Sequence, residues 1–184
     1  MNSSVLDRDV IERARHERTR NALVIGFGGN VGSEGAIVER FTRGRAALGA
    51  LGRMRQAPLY RSAPIGPAQP AFLNTAVAIE VAELDVSQLM STLLELEWLL
   101  GRDRSQEVRW GPRRIDLDVL VWGARVIHTP ALEVPHPRLA ERRFALAPVV
   151  ALLGPELQVP GAGRAGDLLA KVADQDCVEL SIDW

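Results

Sequence analysis

With 184 residues, 47% of them hydrophobic, the chain can bury one substantial core but is short for two. A formal net charge of −1 removes the global basic excess of a nonspecific nucleic-acid binder, so any anion site must be local. The single cysteine, Cys177, excludes an internal disulfide framework, and no cysteine and histidine run has finger-like zinc spacing; a reducing, cytoplasmic setting is expected.

Residues 1–20 are dense in charge of both signs, with only Val5, Leu6, Val10 and Ile11 as large apolar residues after the initial methionine. They read as a flexible extension, frayed or loosely helical, ahead of one domain spanning 21–184. They lack the apolar centre of a signal peptide, and no later apolar run approaches the ~18 residues a membrane span needs. Lys171 is the only lysine among 22 basic residues, so any phosphate is met by arginine forks rather than by an ammonium.

"NALVIGFGGNVGSEG" predicts a short strand from Ala22 to Phe27, a glycine turn, and a helix from about Glu34 to Leu48. Its glycines at 26, 28, 29 and 32 miss the dinucleotide-binding spacing by one residue, and no lysine-based phosphate loop occurs. "GRMRQAPLYRSAPIGPAQPAFLNTAVAIEVA" predicts strand, proline-rich loop over 62–70, strand. Alternation from Phe72 to Ile79 suits a half-buried strand with Phe72 and Asn74 on one face. "DVSQLMSTLLELEWLLGR" predicts a helix capped by Asp85 or Ser87, striped by Leu89, Leu93, Leu96 and Leu100, and stopped at Gly101.

The loop from Gly101 to Arg114 carries Arg102, Arg104, Arg109, Arg113 and Arg114 against Asp103 and Glu107. A strand from Ile115 to Trp122 follows, in which Asp116 and Asp118 share one face, ~6.5–7 Å apart at Cα. Ile115, Leu117, Val119 and Val121 are expected to face the core. Two carboxylates so placed suit Mg²⁺, and a cationic loop beside them suits a polyanion delivered with its metal. A bare Asp-x-Asp is more often a solvated or salt-bridged pair; the arginine loop is what raises its interest. After it come a turn, a short strand and a further helix. Short strands interleaved with two or three helices predict an α+β sandwich, helices against a mainly antiparallel sheet.

"RWGPRRIDLDVLVWG", "VPHPRLAERRFALAPV", "YRSAPIGPAQPAFLNTAVAIE" and the turn "GFGGNVG" together resemble the 6-hydroxymethyl-7,8-dihydropterin pyrophosphokinase family, in register from about residue 22 to Trp184. The resemblance implies a ferredoxin-like α+β fold. It also implies transfer of pyrophosphate from ATP to 6-hydroxymethyl-7,8-dihydropterin, giving AMP, in folate biosynthesis. Asp116 and Asp118 would bind two Mg²⁺ ions, with Arg102 and Arg113 as catalytic-loop arginines. Phe72 and Phe144 would sandwich the pterin; Asn74 would read its edge, helped by Ser62, Pro64 and Ile65, with Trp110 closing over it. Glu97, Arg102, Arg104, Arg109, Arg113, Val119, His136 and Arg142 would line the ATP site. No nucleic-acid or membrane partner is implied, and a monomer is the default expectation.

Departures from the family pattern are specific. Gly29 stands where serine is common, the proline loop is one residue short, and the arginine loop is one residue long. "ERRF" replaces the frequent Asn-Arg-Gly-Phe, which leaves Arg142 or Arg143 as the phosphate contact, with Arg142 favoured by register. Two other classes fit part of the pattern. A ferredoxin-like RNA-binding module would use the arginine loop and stack a base on Phe72, but the aspartates oppose it. A metal-dependent nucleotidyl- or glycosyltransferase would use Asp-x-Asp but leave the Phe72–Asn74 strand unexplained.

Overall fold

A computed structural model describes residues 21–184 except Glu107 and Arg109. The extension over residues 1–20 and the Arg109 assignment lie outside the described residues. The elements in chain order are β1 (Ala22–Gly29), α1 (Glu34–Leu48), β2 (Arg53–Gln56), β3 (Leu59–Ser62), β4 (Phe72–Glu80), α2 (Val86–Leu99) and β5 (Asp116–Trp122). Then follow β6 (Ile127–His128), β7 (Glu133–Val134), α3 (Arg143–Leu153), β8 (Gln158–Val159), β9 (Gly163–Arg164), α4 (Ala165–Lys171) and β10 (Cys177–Leu180). Four α-helices are described where two or three were expected, the fourth coming from a C-terminal stretch too short and irregular to carry a clear period.

The main sheet runs β10-β3-β4-β1-β5, with β2 also paired to β4, and the pairings are antiparallel. The predicted α+β class holds. On one face Leu23, Ile25, Phe27, Val77 and Ile79 pack with Ile37 and Phe41 of α1 and Leu89, Leu93 and Leu96 of α2. On the other, Ala22, Val24, Ala76 and Ala78 pack with Leu146 and Val149 of α3 and Leu168 of α4. Helices on both faces explain why β4 is buried almost throughout rather than half-buried. Small alanines face α3 and larger aliphatics face α1 and α2, so the apolar-to-small alternation had looked like core against solvent.

α1 is capped by Ser33, whose hydroxyl accepts from the Ala36 N–H at 3.3 Å; Asp85 caps α2, accepting from Ser87 N at 2.8 Å and Gln88 N at 3.1 Å. In β5 the expected alternation holds through Val119 and then breaks. The register against β1 shifts between Val24 and Ile25, so Leu120 and Val121 both pack toward α3 and Trp122 returns to the other core. Val121 therefore does not share a face with Ile115, Leu117 and Val119; a β-bulge, set by pairing with β1, turns it over. Trp184 is also a core residue: its indole N–H donates to the Ala57 carbonyl at 2.8 Å, and its ring meets Phe27 and Phe41 edge-on. Among the described residues, no helix is long and apolar enough to cross a membrane.

Candidate active site

A cavity of about 140 Å³ opens on the α3 face of the sheet, where β1 has Gly26 and Gly28 in place of side chains. Gly28 pairs with Asn74 on β4 and with Asp116 on β5; Gly26 pairs with Ala76 and Asp118. The glycines thus form a floor with an amide on one side and the carboxylates on the other. Phe144, Ala145 and Arg142, at the start of α3, close it from above, while Ile65, Gln69, Trp110 and Gly111 come from two loops.

One wall is aromatic and amide. Phe72 and Phe144 both line the cavity, as do Ser62, Ile65 and Asn74. The Asn74 side-chain N–H donates to the Ser62 hydroxyl at 2.9 Å, in a buried contact. That leaves Asn74 Oδ1 beside the Gly28 floor, 3.5 Å from where a Cβ on Gly28 would stand. Pro64 is half-buried in the same loop but is not a lining residue.

The opposite wall is charged. Arg102 is almost wholly buried and donates to Glu97 Oε1 at 2.5 Å and to Asp116 Oδ1; Arg113 donates to Asp116 Oδ2. Glu97 is itself buried, held also by Arg104 at 2.6 Å and by the Leu117 N–H at 2.8 Å. Burial alone would raise the Asp116 carboxyl, but Arg102 and then Arg113 outweigh it and hold Asp116 below the ordinary carboxylate range. Asp118 gets no such relief. Burial first, then the charges of Asp116 and Glu97, push it up to about 7 against the pull of Arg113 and Arg142. A buried carboxyl short of positive charge fits a divalent cation, with oxygen donors of the hard type Mg²⁺ prefers.

Arg142 lines the cavity with its guanidinium 5.6 Å from the Phe144 ring, and its buried Nε has no hydrogen-bond partner among the described residues. Arg143 turns away, donating to the carbonyls of Ala173 at 2.7 Å and Gln175 at 2.9 Å. Of the two arginines that sequence left open, Arg142 lines the cavity and Arg143 does not. His136 lies just outside the lining; its Nδ1 accepts from the Arg138 N–H at 3.1 Å, and burial and then Arg142 lower its pKa, favouring the neutral ring. Val119 packs into the core below the site, and Arg102, Arg104, Glu97 and His136 sit behind or beside the cavity rather than in its wall.

Three groups here, Asn30, Gln69 and Arg138, had no role in the sequence reading. Asn30, 2% exposed, accepts from Arg113 N at 2.8 Å and donates to Gln69 Oε1 and the Pro70 carbonyl, both at 3.0 Å. Gln69 in turn donates to the Trp110 carbonyl at 2.8 Å. Trp110 has φ 66°, the left-handed region that non-glycine residues seldom occupy, and Arg138 stacks on its ring at 4.9 Å. One buried amide thus joins the glycine turn, the proline loop and the arginine loop. An asparagine in a glycine-rich turn is ordinarily only a turn former, so composition gave little signal.

The family model described as 7,8-dihydro-6-hydroxymethylpterin-pyrophosphokinase (HPPK) matches residues 24–154. A curated 2-amino-4-hydroxy-6-hydroxymethyldihydropteridine pyrophosphokinase of Synechocystis sp. is 34% identical over 165 residues, covering 87% of this chain and 79% of its own. The protein of that name from Pseudomonas aeruginosa is 40% identical over 135 residues, 68% of this chain and 80% of its own. Among solved structures, Plasmodium falciparum HPPK-DHPS superposes with TM-score 0.64 at 12% identity, over 84% of this chain. This chain spans only 44% of that longer protein, and the likeness there is one of fold. Sequence match over most of the chain, and the same fold, make this chain a member of the 7,8-dihydro-6-hydroxymethylpterin-pyrophosphokinase family.

Proposed function

We propose that this chain transfers the β,γ-pyrophosphoryl unit of ATP to the hydroxymethyl group of 6-hydroxymethyl-7,8-dihydropterin, in folate biosynthesis. The observation that carries the proposal is the row Asn74–Gly28–Asp116, which sets an aromatic-amide wall and an anion-handling wall across one cavity. In the reaction the hydroxymethyl oxygen bonds to the β-phosphorus and loses its proton. The bond from that phosphorus to the bridging oxygen breaks, and AMP leaves.

Phe72 and Phe144 stack the flat pterin, and the Asn74 carbonyl oxygen accepts from its N–H edge while one of the two amide N–H groups is held by Ser62. Backbone groups of Ser62, Pro64 and Ile65 complete that edge. Arg142, with an unspent buried N–H, and Arg113 bind phosphate oxygens, joined by Arg102, Arg104, Arg109 and His136 as the loop closes on the nucleotide. Neutral His136 serves as an Nε2–H donor, since Nδ1 accepts from Arg138 N. Glu97 acts through the arginines it holds, and Val119 through its main chain.

Asp116 and Asp118 would hold the Mg²⁺, two ions in this proposal. Among the described residues no group of three or more acidic, histidine or cysteine side chains could hold a metal, so remaining ligands would be phosphate oxygens and water. Bound there, Mg²⁺ supplies electrostatic stabilisation of attacking and leaving oxygens. We further propose that residues 21–184 form one catalytic domain of a cytoplasmic monomer. An RNA-binding role is disfavoured because Asp116 and Asp118 both line the cavity and would repel a nucleic-acid backbone.

The test is to incubate the protein with ATP, Mg²⁺ and the hydroxymethyl-dihydropterin and identify the nucleotide formed. Pterin-dependent AMP is expected; ADP, or no turnover, overturns the proposal.

A further inference from the structure

We infer that Arg40, a residue of α1 outside the cavity, is a positioning residue for the Arg113–Asp116 side of the site. What it positions for rests on the transfer proposed above; the clamp itself does not.

Arg40 Nη1 donates to the Arg114 carbonyl and Nη2 to the Val31 carbonyl, both at 2.6 Å. Burial and then the neighbouring charge of Arg114 lower its pKa, so a guanidinium is held here against two unfavourable effects. It is spent on main-chain oxygens of two loops far apart in sequence. A rigid fork whose two terminal nitrogens each carry donors at a fixed spacing suits that task; an ammonium offers its donors from a single nitrogen.

Two glycines make the approach possible. A Cβ on Gly29 would stand 2.8 Å from the Arg114 carbonyl oxygen, and one on Gly32, where φ is 102°, would stand 2.9 Å from Arg40 Nη2. The glycine found where the family commonly has serine is thus tied to how closely Arg114 passes β1. Asn30 completes the frame: its N–H donates to the Arg113 carbonyl at 2.9 Å, and its Oδ1 accepts from Arg113 N at 2.8 Å. Three successive peptide groups, 112–113, 113–114 and 114–115, are therefore tied to the β1–α1 turn immediately before Asp116. The outermost tie is Arg40. Its loss frees the Arg114 carbonyl and loosens the frame that points Arg113 at Asp116 and both into the cavity. The strand part of the pterin wall, Ser62 on β3 and Phe72 and Asn74 on β4, is not touched.

The test compares wild type with Arg40→Met and Arg40→Lys by amide hydrogen exchange without ligands and by steady-state kinetics with Mg²⁺, ATP and the pterin. In Arg40→Met, exchange at amides 113–117 should rise tenfold or more while β4 amides keep their protection. Turnover per folded molecule should fall on the order of 10–100-fold, as a displacement of about 1 Å costs, with pterin KM within about twofold. Arg40→Lys should recover part of both losses. Unchanged kcat in Arg40→Met, or exchange raised equally in β4, overturns the inference. Should wild type turn over no pterin, the transfer proposal falls, and exchange alone decides the clamp: unchanged protection at 113–117 overturns it.

Discussion

Asn74 and Asp116 stand on the same row of the sheet, one strand to either side of Gly28. At ordinary strand spacing their Cα atoms are ~9.5 Å apart, which fixes the distance between the amide wall and the carboxylate wall. Gly28→Ala would place a methyl 3.5 Å from Asn74 Oδ1 and 3.8 Å from Asp116 Cβ, both ordinary contacts. The fold should tolerate it, with Tm within ~2 °C of wild type. The cavity should not: pterin KM is expected to rise about tenfold or more, because the methyl occupies the floor on which the proposed binding mode lays the ring. Thermal melts beside steady-state kinetics check both halves.

Asp118 ties activity to pH and to stability in opposite senses. Its carboxyl titrates near 7 in the folded protein against 3.8 as the ordinary value, so between those limits the folded state holds the extra proton. Stability therefore declines as pH climbs from about 4 to 7 and levels off above, since the unfolded state binds fewer protons there. Asp118→Asn removes the charge. The ligand-free variant should match wild type near pH 4 and melt several degrees higher at pH 8, while losing Mg²⁺-dependent turnover. Equal melting temperatures at pH 8 would show that Asp118 is not held in deficit of positive charge.

Much of this site is local pattern, and that part was legible in the sequence. Asp116 and Asp118 share a face because a strand has period two, and Phe72 and Asn74 share theirs for the same reason. What could not be read depends on contacts between distant segments. The bulge that turns Val121 over comes from pairing with β1. Glu97 sits in the apolar stripe of α2 as an anion because Arg102, Arg104 and the Leu117 N–H all converge on it. Arg142 and Arg143 are chemically alike and adjacent; only the start of α3 decides that one faces the cavity and the other the Ala173–Gln175 turn. Of the two-residue strands β6 to β9, the sequence shows one short strand after β5; the others carry too little period to be read.

Glu97 is a stability prediction with a functional consequence. Its carboxylate neutralises Arg102, whose side chain is 3% exposed, and accepts the Leu117 N–H one residue from Asp116. Glu97→Ala takes one carboxylate from the buried Arg102 guanidinium and leaves the buried Leu117 N–H without the acceptor it has in the wild type. Breaking a buried pair from one side costs about 3–5 kcal/mol. Glu97→Gln keeps an acceptor for Leu117 N and should cost roughly half as much. Denaturant unfolding of the two variants separates the charge from the hydrogen bond.

Trp184 tests the core independently of the site. Its indole packs against Phe27 at 5.5 Å and Phe41 at 6.2 Å between ring centroids, lies under the Arg45 guanidinium, and donates to the Ala57 carbonyl. Trp184→Ala should lower unfolding free energy by about 3–5 kcal/mol, the cost of an aromatic-sized cavity plus an unpaired buried carbonyl. Trp184→Phe keeps most of the packing and drops only the N–H, so about 1–2 kcal/mol is expected. Because Trp184 packs with Phe41 in the core on the α1 face of the sheet, opposite the α3 face on which the cavity opens, both variants should keep turnover per folded molecule within about threefold of wild type at 25 °C while their melting temperatures fall. A larger loss of turnover in Trp184→Phe, whose ring still fills the space, would mean that the Ala57 hydrogen bond reaches the cavity through β3 rather than holding the core alone.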